Sequence, residues 1–333
     1  PQTSAVWNAT EANWSNTATA LLGVYTNFDA VTFNEAGAYS NVVTLAAALT
    51  PSEVLVDGAS NYTFAGAAIA GAAGLTKTGA GTLTILNTNT YTGPTTISDG
   101  VLHLGDGGNF NGLSGTAYIN VTNTGTLSLY SPGNLVLAQA VRGNGTWLNR
   151  GPGVCGVGEV DPTNNNAGFA GSLVLTNLRF RFSTAADVGG ATITVQDRGQ
   201  IWLMSGLNTR PITMTGLGWQ EPSGQLGAIR LANSTNAGPI TLVGPSRIST
   251  HSGGERGEVS GNISGPHQLE LWNGNGGFTF LTGTNTFQDL RLTGGWQFYG
   301  NSSALGVGNV YFNNGGLSAY LAPLLVTNPV ATL

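Results

Sequence analysis

Between Gly74 and Gly105 apolar side chains alternate with Thr and Ser, a Gly or Asn interrupts, and the alternation restarts: Leu75-Thr-Lys-Thr, Thr82-Leu-Thr-Ile, Thr95-Thr-Ile, Val101-Leu-His-Leu. A period of two is the mark of a strand with one face covered, and the interruptions supply turn residues. Units this short cannot bury an apolar face alone, so they must stack on further copies. The pattern predicts an all-β protein.

The same pattern returns elsewhere in degenerate form. Leu173 and Leu175 match Leu290 and Leu292 at an offset of 117 residues (173 to 290), and Gly189, Ile193, Val195 and Gly199 match Gly306, Val310, Phe312 and Gly316. Gly115, Ile119, Val121, Gly125, Leu127 and Leu129 form a third copy, 74 residues earlier (115 to 189). A second shared element, Ile69-Ala-Gly71 followed by Asn89-Thr-Tyr91, is echoed by Ile263-Ser-Gly265 and Asn285-Thr-Phe287; Val141-Arg-Gly143 with Phe169-Ala-Gly171 reads as a rearranged version. Three modules result, near 69–136, 137–207 and 263–322, with a strand-rich linking stretch at 208–262.

Short strands separated by Gly or Asn corners fit coils of a right-handed parallel β-solenoid, each of about 18–25 residues. Leu, Ile, Val and Phe should point inward, and Thr, Ser and Asn outward. The solenoid is expected over 67–333, with 1–66 an irregular N-terminal β segment that starts or caps it. An immunoglobulin-like sandwich chain needs longer strands and regular domains, which the module spacing does not supply.

Composition sharpens this reading. Charged residues are 8% of the 333, against about 25% in an ordinary globular chain, while 41% are apolar and 51 are Gly. The ample apolar fraction argues against disorder. Ten arginines are scattered from Arg142 to Arg291 without a basic stripe, so nucleic acid is not an expected partner, and no run is long enough to span a membrane as a helix. The lone Cys155, in Gly-Val-Cys-Gly, excludes an internal disulfide and reads as a small buried hydrophobe.

The residues Leu75, Lys77, Gly79, Gly81, Leu83, Ile85, Asn89, Thr90, Tyr91, Gly93, Thr95, Ile97, Gly100 and Leu102 resemble the autotransporter-associated β-strand repeat, also called the passenger-associated transport repeat. The flanks Trp7-Asn, Asn13-Trp-Ser and Asn61-Tyr-Thr-Phe-Ala-Gly66 are similar to the same family. The resemblance implies a bacterial exported β-helix, displayed at or beyond the cell surface and serving adhesion or structure. Module 263–322 departs from it, with Trp272-Asn-Gly-Asn where Lys-x-Gly-x-Gly is the pattern.

Candidate chemistry is sparse. The acidic residues stand singly at turns, the three histidines lack metal spacing, and no cofactor motif occurs, so no catalytic residue, metal or cofactor is expected. One charged run, His251-Ser-Gly-Gly-Glu-Arg-Gly-Glu258, offers Glu255, Arg256 and Glu258 as a polar patch; separately, Trp202, Trp219, Trp272 and Trp296 are sugar-stacking candidates. Apolar residues near both termini, Val6, Trp7, Leu324, Leu325, Val326, Val330 and Leu333, without helical caps, point to copies joining end to end. The expected function is a non-enzymatic structural or adhesive element, a subunit of a fibre whose partners are its own copies or a surface polysaccharide. The alternative is a polysaccharide lyase, glycoside hydrolase or glycan-binding module on the same fold.

Overall fold

A computed structural model describes residues 4–37, 41–105, 112–130, 132–184, 187–320 and 325–332. Short parallel strands stack into a β-solenoid of about 14 turns. Helix is scarce: one 3-10 turn is Glu35–Gly37. The chain divides into two compact units.

The first unit comprises Pro1–Pro132, Leu137–Leu148 and Thr163–Ser172. One of its sheets stacks Ala30–Phe33, Glu53–Asp57, Leu75–Thr78, Thr95–Ile97, Ile119–Val121 and Val141–Gly143, all parallel. Val54, Leu75, Thr95, Ile119 and Val141 share one column, 21, 20, 24 and 22 residues apart. The coil therefore has the length the glycine spacing predicts. The other sheet carries Val6–Trp7, Val42–Leu45, Tyr62–Gly66, Thr82–Ile85, Val101–Leu104 and Thr126–Tyr130 in parallel order. Each strand gives alternate side chains to the interior, and Leu83, Ile85, Leu102, Leu104, Leu127 and Leu129 are all buried. Parallel coils of this kind build the core from stacked columns rather than from facing layers.

Polar residues also enter this interior, which departs from the inward-apolar, outward-polar expectation. Lys77 follows Leu75 by two positions and so points inward; it is 1% exposed. Its ammonium donates to the carbonyls of Thr78 and Gly79, both at 2.6 Å, inside the corner between two strands. Asn89 is fully buried and accepts the Ile69 N–H at 2.8 Å. Thr95 hydrogen-bonds Tyr91 at 2.7 Å and Thr116 at 3.0 Å. A corner exposes main-chain groups that no strand satisfies, and buried polar side chains supply the missing partners.

At the N-terminal side, Trp7, Trp14, Tyr25, Phe33 and Phe64 pack ring against ring, with centroids from 4.8 to 6.3 Å apart. A small antiparallel pair, Trp14–Ser15 with Leu22–Gly23, holds Trp14 in place. Burial pushes the Tyr25 phenol up to about 12, with the nearby Asp29 charge adding to the effect.

The second unit comprises Gly133–Val136, Asn149–Pro162 and Leu173–Leu333. One long column runs Val160, Phe180, Ile201, Ile229, Ile248, Leu271, Leu292, Phe312 and Thr332. Every step is 19–23 residues except Ile201 to Ile229, where a hairpin of Gln220–Glu221 with Gly224–Gln225 is inserted. Another sheet stacks Gly206–Asn208, Ser234–Asn236, Arg256–Val259, Phe278–Leu281, Trp296–Tyr299 and Gly316–Ala319. Asparagine again serves the interior: Asn208 donates to Asn236 at 2.6 Å, and Asn273 accepts from Thr250 and Thr279 while donating to the Trp296 carbonyl.

Cys155 differs from expectation. It is exposed, on the glycine-rich loop before strand Glu159–Pro162. Gly153, Gly156 and Gly158 all take positive φ, which carries the loop outward instead of continuing the coil.

Candidate functional site

Stacking gathers charges that are far apart in sequence. On the outward face of the second unit's long-column sheet, Glu159 pairs in register with Arg179, Arg181 with Trp202, and Trp202 with Arg230. Further along, Arg247 pairs with Glu270 and Glu270 with Arg291. The Arg179 guanidinium lies between the rings of Trp202 and Trp219, 4.5 and 4.6 Å from their centroids, and Arg230 covers Trp202 at 4.5 Å. Weak hydration of a planar guanidinium makes such stacking favourable.

The carboxylates close this lattice. Arg179 reaches Glu159 at 2.5 Å and Glu221 at 3.0 Å, and Glu221 also holds Arg230 at 2.8 Å. Arg181 holds Asp161 at 2.8 Å, and Arg247 holds Glu270 at 2.8 Å. Glu221 comes from the inserted hairpin, which folds over the face. Trp219 donates to the Val157 carbonyl at 3.2 Å, and Arg247 donates to the Gln225 carbonyl at 2.5 Å. The charges of a charge-poor chain are thus concentrated, neutralised and partly covered. Nearby, His251 stacks on Trp272 with 5.5 Å between centroids.

The sequence reading scattered these arginines and left the acids at isolated turns. The structure corrects both, because residues one coil apart become lateral neighbours. The signal that could have found them is the coil length itself: 181, 202 and 230 are one coil apart in turn, as are 247, 270 and 291.

A second outward surface lies on the other sheet. Arg256, Phe278, Trp296 and Gly316 share one outward column, and Glu258, Phe280, Phe298 and Ser318 the next. Phe280 and Phe298 stack at 4.8 Å, Tyr320 meets Phe280 edge-on at 4.9 Å, and Arg256 sits 4.4 Å over Phe280. Trp296 is 54% exposed. A hollow of about 260 Å³ opens beside these rings, lined by Asn233, Ser234, Thr235, Arg256, Glu258 and Phe280 among others.

The expected polar patch is therefore divided. Glu255 accepts the N–H groups of His251 and Ser252 and lies 3.9 Å from Arg230, on the side of the charged face. Arg256 and Glu258 point outward from the aromatic sheet, where Glu258 accepts the Thr282 hydroxyl at 2.6 Å. The four tryptophans likewise do not form one surface: Trp219 is buried, Trp202 and Trp272 are stacked by Arg230 and His251, and only Trp296 joins the aromatic strip. Of the residues expected at joining ends, Trp7 is in the core, Val6 and Val326 are half-buried, and Leu325 and Val330 are exposed. Leu324 and Leu333 lie outside the described residues.

Residues 75–104 match the Passenger-associated-transport-repeat family. The matched segment forms the coil strands Leu75–Thr78, Thr82–Ile85, Thr95–Ile97 and Val101–Leu104, with Lys77, Asn89 and Tyr91 buried at its corners. This repeat and this fold fit a surface β-helix of the autotransporter-passenger kind. No curated protein matches the chain. No solved structure matches it either. The groups of His, Cys, Asp and Glu among the described residues include none arranged to hold a metal ion, and no helix among them is long and apolar enough to cross a membrane.

Proposed function

We propose that the chain is an exported, non-enzymatic β-solenoid that works at the cell exterior as a structural and adhesive element. The observation that carries this reading is the matched repeat, whose Lys77, Asn89 and Tyr91 are all engaged inside the coil and so maintain the scaffold. Adhesion then falls to the outward faces. Beads coated with the purified protein should bind intact bacterial cells or their matrix above the level of albumin-coated beads; binding no better than albumin would overturn the adhesive reading.

Self-association into fibres is a separate part of the proposal, supported by the exposed apolar Leu325 and Val330. Filaments in negative-stain microscopy at micromolar concentration would uphold it, and a monodisperse monomer in sedimentation would overturn it.

The cluster of Arg, Glu and Asp on one solenoid face favours a second reading, a polysaccharide-cleaving enzyme. Against it, each of Glu159, Asp161, Glu221 and Glu270 is held by an arginine within 3.0 Å, an arrangement suited to cross-bridging strands more than to moving protons. Release of reducing ends or unsaturated products from pectin, alginate or xylan, lost in Glu221→Gln, would favour the enzyme.

A further inference from the structure

We infer that the outward aromatic strip of Phe278, Trp296 and Phe298, with Arg256 and Glu258 at its border, is a binding surface for a neutral polysaccharide chain. The inference rests on the adhesive reading above and names its partner. Outward rings on this sheet are adjacent by register: Phe278 faces Trp296 directly, and the buried Phe280 faces Phe298. Neighbouring strands are about 4.8 Å apart, so the rings form a contiguous aromatic track across the coils, with Phe278 and Phe298 tilted by 51° and Trp296 its most exposed member. The apolar face of a pyranose ring stacks on the indole of Trp296, while its hydroxyls need donors and acceptors at the edge.

Those groups are present. The hollow beside Phe280 offers the amide of Asn233, the hydroxyl of Thr235, the guanidinium of Arg256 and the carboxylate of Glu258. One positive and one negative side chain leave the border without net charge, which suits a neutral sugar better than an acidic one. The track is also held in place. A Cβ added at Gly316 would lie 2.7 Å from Trp296 Cε3 and 2.9 Å from its Cζ3, so the indole rests directly on the Gly316 backbone. A ring held flat before binding spares the ligand the cost of ordering it.

A second protein chain is a poorer occupant. A stable protein interface buries about 800 Å² on each side, whereas each ring here offers at most about 150–250 Å² in total and part of each is already packed. A linear glycan needs only a strip one or two rings wide.

The test is affinity electrophoresis of the full chain in native gels containing xyloglucan, mixed-linkage β-glucan or galactomannan, with polygalacturonate as the acidic control. We expect retardation in at least one neutral gel and none with polygalacturonate. The apparent dissociation constant should rise at least fivefold in Trp296→Ala and in Phe278→Ala, and Trp296→Tyr should recover most of the binding. Gly316→Val, which keeps every ring but displaces the indole, should weaken binding as well. Unchanged circular dichroism and melting midpoint would show each variant folded; were Trp296→Ala to misfold, Trp296→Tyr and Gly316→Val carry the comparison. Failure of all three neutral polysaccharides to retard the protein would overturn the assignment, as would retardation indifferent to these substitutions. A dimer in sedimentation that Trp296→Ala dissociates, without retardation in any gel, would give the strip to a second copy and overturn it too. Bead adhesion that persists without retardation would sink this assignment while leaving the wider surface role standing.

Discussion

The side-chain oxygen of Asn89 accepts the backbone N–H of Ile69 at 2.8 Å, twenty residues earlier on the preceding coil. Asn166 does the same for Val141 at 2.7 Å, and Asn285 for Ile263 at 2.7 Å. Each accepted N–H opens an apolar-x-Gly triplet, and Gly71, Gly143 and Gly265 all take positive φ. An aromatic ring follows each asparagine and is buried: Tyr91, Phe169 and Phe287. Three segments of different sequence thus form one corner, in which an inward amide replaces the ladder partner that the turning backbone lacks.

Removing that amide leaves a buried N–H without a partner. Asn89→Ala, Asn166→Ala and Asn285→Ala should each destabilise the fold by about 1–3 kcal/mol. Thr90→Ala and Thr286→Ala, exposed and adjacent, should stay within about 0.5 kcal/mol of wild type. Urea unfolding of the five variants checks this, and equal effects across them would contradict the corner's role.

Lys77 makes stability depend on alkaline pH. Desolvation holds its ammonium below the ordinary lysine value of 10.5, despite the opposing pull of Asp99 and Asp57. Just below 10.5 the unfolded chain therefore binds the proton that the folded chain has released, and stability rises with pH there. The urea midpoint of wild type should climb relative to Lys77→Met as pH approaches 10.5. A parallel course of the two proteins would show that the ammonium is not desolvated.

The tyrosines act in the opposite direction. Burial raises Tyr25 to about 12 and raises Tyr62 and Tyr91 as well, from an ordinary value of 10.0. Above 10.0 the unfolded chain loses phenolic protons that the folded chain keeps, so their contribution, whole below that pH, is lost as pH climbs through the folded values. Tyr91→Phe keeps the packing and should unfold over a shallower alkaline range, read by circular dichroism between about pH 9 and 12. It should also lose about 1 kcal/mol at neutral pH with the Thr95 hydrogen bond.

Glu221 clasps the inserted hairpin to the charged face through Arg179 and Arg230. Glu221→Gln removes one charge and leaves two largely buried guanidinium groups without it, at a cost of about 3–5 kcal/mol if the structure does not relax. Local opening is the cheaper response, so amide exchange at Gln220–Gln225 should speed up markedly while the strands Phe278–Leu281 and Trp296–Tyr299 keep their protection. Uniform loss of protection across the second unit would mean the hairpin is integral to that unit's fold.

How much of this was readable from residues alone follows from what each feature depends on. Strand alternation and coil length are local, so Leu75–Thr78 and Thr82–Ile85 were evident, as was the all-β parallel solenoid. The direction of a polar side chain depends on its place in that alternation, and composition misdirected the assignment of Asn89 and Thr95 to the outside. The Arg179–Trp202–Arg230 stack depends on register between coils, and the inserted hairpin shifts that register by several residues. Asn166 escaped notice because its aromatic partner stands three positions on, at Phe169, instead of two. Cys155 was misjudged because its glycines lead the loop out of the coil.

The account's central claim is that this solenoid works outside the cell. Protease shaving of intact producing cells, followed by mass spectrometry of the released peptides, tests it most directly. The account predicts peptides from this chain, in the shaved fraction or the culture medium, without lysis. Peptides that appear only after the cells are broken, with cytoplasmic markers, would contradict it.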